Sequence, residues 1–306
     1  MRILYLCPDL DGPSGGVEQI YHHVRLLHQV GLPASVVHFS EGFRWPFAPA
    51  DVPATSLGCM RLSHDDHLVL PEGWLLPELL ALPVEKHVFV QGLLPLYGGM
   101  NDTEFPSDIP RENILCCSKM LRSMLAEFLG LRPTRVPNAV DASLFRPGNK
   151  RRAVAYMPRK EKRFLYAVKG LFQAAFPGRR DVEWIPVENM TKEEAAEVMG
   201  SCFAYLSTSF FEGFGMPPLE AMACETIVVG THGYGGREFA NRENGFWCDQ
   251  ADIPQCARLL GKAFDLLEAE DPALERMRAA GRETVKDYTL DHQKVALLRY
   301  WQKRLG

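Results

Sequence analysis

The chain has 306 residues, 46% of them apolar and 24% charged, with a formal net charge of −4. That length exceeds what one hydrophobic core usually serves, so two domains of roughly 150 residues are expected. The composition is that of a soluble globular protein; no basic stretch is long enough to line a nucleic-acid duplex and no apolar run is long enough to cross a bilayer.

In chain order, Ile3 to Cys7 reads as a buried strand; the run ends at Pro8 and is too brief for a signal peptide. Asp11-Gly12-Pro13-Ser14-Gly15-Gly16 is a loop, after which Val17, Ile20, Tyr21, Val24 and Leu27 recur at helical spacing until Gly31 stops the helix. His22 and His23 fall off that apolar face and are expected at the surface. Residues 34–39 resume as a strand and complete a βαβ unit. Residues 42–83 carry many prolines and little periodicity, so irregular structure with short elements is expected, facing a substrate. Trp45, Phe47 and Trp74 read as packing residues in preference to an acceptor- or lipid-facing surface. His64-Asp65-Asp66-His67 reads as a polar turn before a strand at 68–70 in preference to a metal site. Residues 87–91 and 114–117 are strands, and Ser118 caps a helix that Gly130 stops.

Pro137 to Asp141 and Arg146 to Lys150 read as a linker, and a second strand–helix alternation follows. Its strands are expected at 153–157, 182–187, 204–208 and 227–230, and Thr191 with Glu194 forms a capping box. Asp252 caps another helix, and helical patterns cover 272–286 and 291–305. Two alternations imply two open sheets. The eight cysteines are scattered without metal-type spacing, which suits reduced, mostly buried thiols.

The densest signal is Ser209-Phe210-Phe211-Glu212-Gly213-Phe214-Gly215-Met216-Pro217-Pro218-Leu219-Glu220-Ala221-Met222, between a strand and a helix. Ligands of open α/β sheets sit beyond the carboxyl ends of strands. Gly213 and Gly215 let backbone amides approach a ligand, and the prolines fit a first helical turn, whose dipole favours phosphate. Glu212 and Glu220 suit sugar hydroxyls, which are donors; cations for a phosphate must come from elsewhere.

The E-x7-E pattern from Glu212 to Glu220, worded EGFGMPPLEAMA, resembles the donor motif of retaining glycosyltransferases of the GT-B fold, family four (glycosyl transferases group 1). Gly15-Gly16-Val17-Glu18 resembles that family's N-terminal glycine loop. Pro137-Asn138-Ala139-Val140-Asp141 with Phe145 and Pro147 resembles its interdomain segment, and Asn244-Gly245-Phe246 its NG turn. The resemblance implies an α/β GT-B chain, with two Rossmann-like domains whose parallel sheets face each other across a cleft. The acceptor-side domain would span 1–147 and the donor domain 148–288, with 289–306 a helix packing back on the first.

The resemblance also assigns roles. Glu212 would sit near the donor sugar and Glu220 at the ribose, with the amides of Gly213, Phe214, Gly215 and Met216 facing the sugar and those near Leu219 the diphosphate. Arg159 is the first candidate for the diphosphate, because a guanidinium binds phosphate in a bidentate way; Lys160 or Lys162 is second. Base recognition would fall near Val187 to Met190, mostly through backbone. Many members carry a sugar-contacting His on an N-terminal strand; here Gln91 holds that strand end. The wording there is similar to a rhamnosyltransferase-like subgroup, although that subgroup's acidic residues are missing.

Retention in such enzymes needs no protein nucleophile: the acceptor attacks the face from which the diphosphate leaves. The protein supplies positioning and charge stabilisation, with Gly15 and Gly16 brought to the diphosphate by closure. The implied co-substrate is a nucleoside-diphosphate sugar, with no cofactor and no metal. The implied acceptor is a carbohydrate, lipid-linked or small-molecule hydroxyl, and the product a polysaccharide, glycolipid or glycosylated metabolite. A cytoplasmic location is expected, with at most peripheral contact at the inner membrane face. Two other classes stay open: a sugar-nucleotide 2-epimerase, and a catalytically silent sugar-nucleotide-binding partner.

Overall fold

The structure, a computed structural model, describes residues 1–100 and 104–305. It divides into two compact units, Met1–Asn138 with Gln293–Gly306, and Ala139–His292.

The first unit carries β1 (Ile3–Leu6), β2 (Ala34–His38), β3 (Ala54–Ser56), β4 (His67–Pro71), β5 (Glu85–Val90), β6 (Ile114–Cys116) and β7 (Thr134–Arg135). They form one sheet in the order β3-β2-β1-β4-β5-β6-β7, every pair parallel. Helices α1 (Gly15–Gln29), α2 (Pro77–Leu80), α3 (Leu93–Gly99) and α4 (Lys119–Leu129) join them. All four residues of β1 are buried, as expected of a strand covered on both faces. Ser14 Oγ accepts the Val17 N–H at 3.4 Å to start α1, and Gly31, at φ +82°, follows its end. Ser118 Oγ accepts Leu121 N–H at 3.1 Å to start α4, and Gly130, at φ +59°, closes it. Within 42–83, β3, β4 and α2 are ordered additions to this unit, and Trp45 is buried with its Nε1–H donating to Gly12 O at 3.0 Å.

One expectation fails. His23 is fully buried, not at the surface. Its ring stacks on Phe89 at 4.5 Å and its Nδ1 lies 3.4 Å from Tyr5 Oη, so burial drives its pKa down to about 3. The buried stripe of α1 is wider than the residues at strict helical spacing, because the sheet beneath offers a flat face. The turn at 63–66 is also more than polar decoration: buried Asp66 accepts Arg2 Nη2 and Nε at 2.5 and 3.1 Å.

The second unit carries β8 (Arg151–Tyr156), β9 (Glu183–Pro186), β10 (Cys202–Ser207), β11 (Ile227–Gly230) and β12 (Phe246–Trp247) in the parallel order β12-β11-β10-β8-β9. Around them lie α5 (Lys162–Ala175), α6 (Lys192–Ser201), α7 (Met216–Ala223), α8 (Ile253–Glu268) and α9 (Ala273–Val285). The capping box at α6 forms in full, with Thr191 Oγ1 accepting Glu194 N–H and Glu194 Oε2 accepting Thr191 N–H at 2.7 Å. Asp252 caps α8 through Gln255 N–H at 2.8 Å. Lys150 Nζ donates to Gly200 O, Cys224 O and Thr226 Oγ1 at 2.8, 2.7 and 2.6 Å, closing the ends of α6 and α7 with a cation. The unit begins at Ala139, ahead of the border at 147–148, because Val140 N–H donates to Tyr288 O at 2.8 Å and ties the apparent linker to this unit.

The last helix, α10 (Leu290–Leu305), starts in the second unit and from Gln293 onward belongs to the first. Leu297, Tyr300 and Trp301 are fully buried in the first unit's core with Tyr5, Val69 and Phe89. No helix among the described residues is long and apolar enough to cross a membrane.

Candidate active site

In the second unit the strand order reverses between β8 and β10, so their carboxyl ends diverge into loops on either side of a crevice. The loop after β8 holds Arg159 and Lys160; the loop after β10 holds residues 209–215. Thr208 Oγ1 donates to Lys160 O at 2.8 Å and joins the two loops. β11 approaches β10 so closely that a Cβ on Gly230 (φ +128°) would stand 1.9 Å from Ser207 O.

The loop carrying the glutamate motif is locked against a second glycine loop. Glu212 N–H donates to Gly233 O at 2.9 Å, and Gly235 N–H donates to Glu212 O at 3.0 Å. The contact leaves no room for side chains: a Cβ on Gly235 would lie 2.4 Å from the Gly213 carbonyl carbon. Gly215 then adopts φ +92° and delivers the chain into α7, whose N-terminus has no side-chain cap. Pro217 and Pro218 have no N–H, and Leu219 is the fourth helical residue, where the amide enters the i→i−4 ladder. That leaves Gly215 and Met216 as the amides at the open end of the helix.

These turns surround a small, solvent-open pocket lined by Tyr205, Ser207, Ser209, Glu212, Gly215, Pro217, Pro218 and His232. Glu212 forms an ion pair with Lys160 Nζ at its edge, both side chains part-buried. Glu220 is buried on α7; burial first, and then the Glu220 and Glu212 carboxylates, push the Tyr205 hydroxyl far above its ordinary pKa. Arg159 is exposed and close enough to oppose that effect. Lys162 is exposed at the first position of α5. His232, in the lining, has a buried Nδ1 without a hydrogen-bond partner, and burial lowers its pKa.

The structure thus gathers Lys160, Glu212 and Gly215 around one pocket. Other predicted residues serve packing. Phe214 is buried in a cluster with Phe239 and Tyr288, at 5.9 and 5.4 Å between ring centroids. Val187 is buried, and its N–H donates to Tyr156 O at 2.7 Å. Asn244 of the NG turn is a buried brace, donating to Phe239 O at 2.7 Å and Thr284 Oγ1 at 3.0 Å. Sequence reasoning missed His232 and the loop from Gly233 to Gly236; three glycines directly after a strand were the available signal.

In the first unit, Gln91 Nε2 donates to Gly16 O at 3.0 Å, so the strand-end amide holds the glycine turn, with Gly15 exposed. Gln91 N–H in turn donates to Glu72 Oε1 at 2.9 Å. Glu72, also missed, is buried just beyond β4, and burial pushes its carboxyl up to about 7 against the bonds it accepts from Gln91 and Gly92. These residues sit at the carboxyl ends of β4 and β5 and the start of α1, where this sheet's own strand order reverses.

Residues 179–284 match the family model for glycosyl transferases group 1. This stretch resembles a glycosyltransferase domain. It includes the glutamate-motif loop, α7 and the second glycine loop. The chain is 24% identical over 267 residues, 82% of its length and 80% of the relative's, to an alpha-1,6-glucosyltransferase of Actinobacillus pleuropneumoniae serotype 7 (strain AP76). Among solved structures, sucrose-phosphate synthase from Thermosynechococcus elongatus superposes with a TM-score of 0.73 at 14% identity, covering 100% of this chain and 99% of that one. HepE of Anabaena, solved in complex with UDP, gives a TM-score of 0.68 at 13% identity, covering 99% and 100%. At such identities the structural likeness carries the fold, and the fold is GT-B.

Proposed function

We propose that the chain is a retaining, metal-independent glycosyltransferase that moves a sugar from a nucleoside diphosphate to a hydroxyl acceptor. The single observation that carries this reading is the pocket at the end of β10, where Lys160 and Glu212 meet the uncapped end of α7. A diphosphate there would draw Lys160 away from Glu212, freeing the carboxylate for sugar hydroxyls. With prolines at two first-turn positions, the helix offers few amides, so the cations Lys160, Arg159 and Lys162 carry most of the charge stabilisation on the departing diphosphate. Glu220 is assigned to the ribose and the backbone near Val187 to the base. Gly213, Gly215 and Met216 present backbone to the sugar.

The first unit is assigned the acceptor, with Gln91 and the Gly15-Gly16 turn as its polar edge. A carbohydrate or lipid-linked hydroxyl suits the reading, with a hexose or deoxyhexose as the sugar moved. The acceptor hydroxyl would lose its proton to the leaving phosphate oxygen as the new bond forms, so no side chain need act as nucleophile.

HepE has been solved with UDP and with UDP-glucose, which makes these the first ligands to titrate. Glu220→Ala is expected to weaken UDP binding, and Arg159→Ala to lower turnover more than binding. Wild-type behaviour of both variants with a working donor would remove the site assignment. Recovery of an epimerised donor in the absence of acceptor would replace the transferase reading.

A further inference from the structure

The amino ends of two interior strands of the first sheet hold a cluster that the glycosyltransferase reading does not use. β4 and β5 run parallel with His67 opposite Glu85 and Val69 opposite His87. His67 and Glu85 are therefore a cross-strand pair, and His87, two residues further along β5, shares their face. The three side chains converge. His67 Nδ1 lies 3.0 Å from His87 Nε2, and Glu85 places its oxygens 3.8 Å from His67 Nδ1 and 3.9 Å from His87 Nε2. All three ligand atoms fall within 4.8 Å of one another.

We propose that His67, Glu85 and His87 form a binding site for a divalent cation of the zinc class, placed against the C-terminal helix. A tetrahedral zinc ion with bonds of about 2.0–2.1 Å needs ligand atoms about 3.4 Å apart. The two imidazole nitrogens stand somewhat closer than that, and the Glu85 oxygens, a different one nearest each ring, somewhat farther, so a bound ion would part the rings and draw one carboxylate oxygen in. Two imidazoles and a carboxylate are also the ligand types zinc prefers. Both rings are buried, whereas Glu85 is half-exposed, so water can reach the fourth position.

The surroundings supply the orienting partners that such ligands require. His87 Nδ1 is 2.7 Å from Tyr300 Oη on α10, and Asn113 Nδ2 donates to Glu85 Oε1 at 2.8 Å. In the present arrangement one of the two facing imidazole nitrogens carries the proton. With a cation bound, both would face it as lone pairs, and His87 would carry its proton on Nδ1 and donate to Tyr300 Oη. This is a change of tautomer with no net proton released. Trp301 covers both rings, with centroids 5.7 Å from His67 and 4.9 Å from His87. The opposing charges include the amino terminus of Met1 and Arg304, whose guanidinium stacks on Tyr300 at 3.6 Å and donates to Asn113 Oδ1 at 3.1 Å. The site lies at the amino ends of β4 and β5, whereas Glu72 and Gln91 lie at their carboxyl ends, so its role is structural: it fastens α10 to the sheet.

The test uses the full chain, stripped with chelator and titrated with ZnCl₂, with metal content measured after gel filtration. One equivalent of zinc should bind and raise the melting temperature, and Co²⁺ in its place should give the visible absorption of a four-coordinate site. Tyr300→Phe should weaken zinc binding about ten- to hundredfold through loss of the orienting bond, and His87→Gln should abolish it. Should His87→Gln fold poorly, Glu85→Gln, at a half-exposed position, provides the second reading. Absence of stoichiometric zinc in the wild type, or unchanged binding in Glu85→Gln and His87→Gln, would overturn the proposal and leave a hydrogen-bonded histidine pair.

Discussion

Glu72 offers the sharpest physical test of the first unit. Its carboxyl is 6% exposed and accepts the Gln91 N–H at 2.9 Å, yet burial lifts its pKa from 4.5 to about 7. Between those two pH values the folded chain holds a proton at this group that the unfolded chain has released. Stability from this group is therefore complete below pH 4.5 and is lost as pH rises through 7. At ~1.36 kcal/mol per pH unit, the separation is worth about 3 kcal/mol. Glu72→Gln retains an acceptor oxygen for Gln91 and cannot ionise, so it should lack this pH dependence. The assay is urea unfolding of wild type and variant from pH 4.5 to 8, followed by tryptophan fluorescence. The new amide hydrogens add an offset that does not vary with pH, so the quantity to read is the change in the difference. The variant should gain about 3 kcal/mol relative to wild type across that range. Parallel stability curves for the two proteins would refute the argument and show that Glu72 is ionised at ordinary cost.

Three further outcomes are expected. Gly230→Ala forces a Cβ to within 1.9 Å of Ser207 O at φ +128°, so a loss of ~3 kcal/mol or more is expected in thermal unfolding of the second unit. Thr191→Ala removes half of the capping box at α6 and should cost about 1 kcal/mol in the same measurement. Lys160→Met removes the partner of Glu212 at the pocket; UDP affinity measured by calorimetry should fall about tenfold or more, and an unchanged affinity would shift the diphosphate role to Arg159 and Lys162.

Features set by local chemistry were legible in the sequence. The capping box at Thr191, the caps at Ser118 and Asp252, the left-handed glycines after α1 and α4, and the strand-loop-helix around Glu212 follow from neighbours a few residues apart. What depended on distant adjacency was not. Lys160 reaches Glu212 across 52 residues, Gln91 reaches Gly16 across 75, and His87 meets Tyr300 across 213. His23 was misplaced because periodicity records the centre of a buried stripe and not its width. Glu72 was passed over because a lone acid after an apolar run reads as the end of a strand. Only the neighbouring strand shows that a backbone turn closes over it.

The first unit is assembled from two stretches of chain, and the later one supplies Leu297, Tyr300 and Trp301 to its interior. During synthesis the opening segment must therefore wait, one side of its sheet uncovered, while everything from Ala139 to His292 is made. The second unit, continuous in sequence, can mature first. A ribosome stalled short of Gln293 would hold a finished second unit and a nascent first unit in need of chaperone cover, so the segment from Gln293 onward decides when the first unit closes.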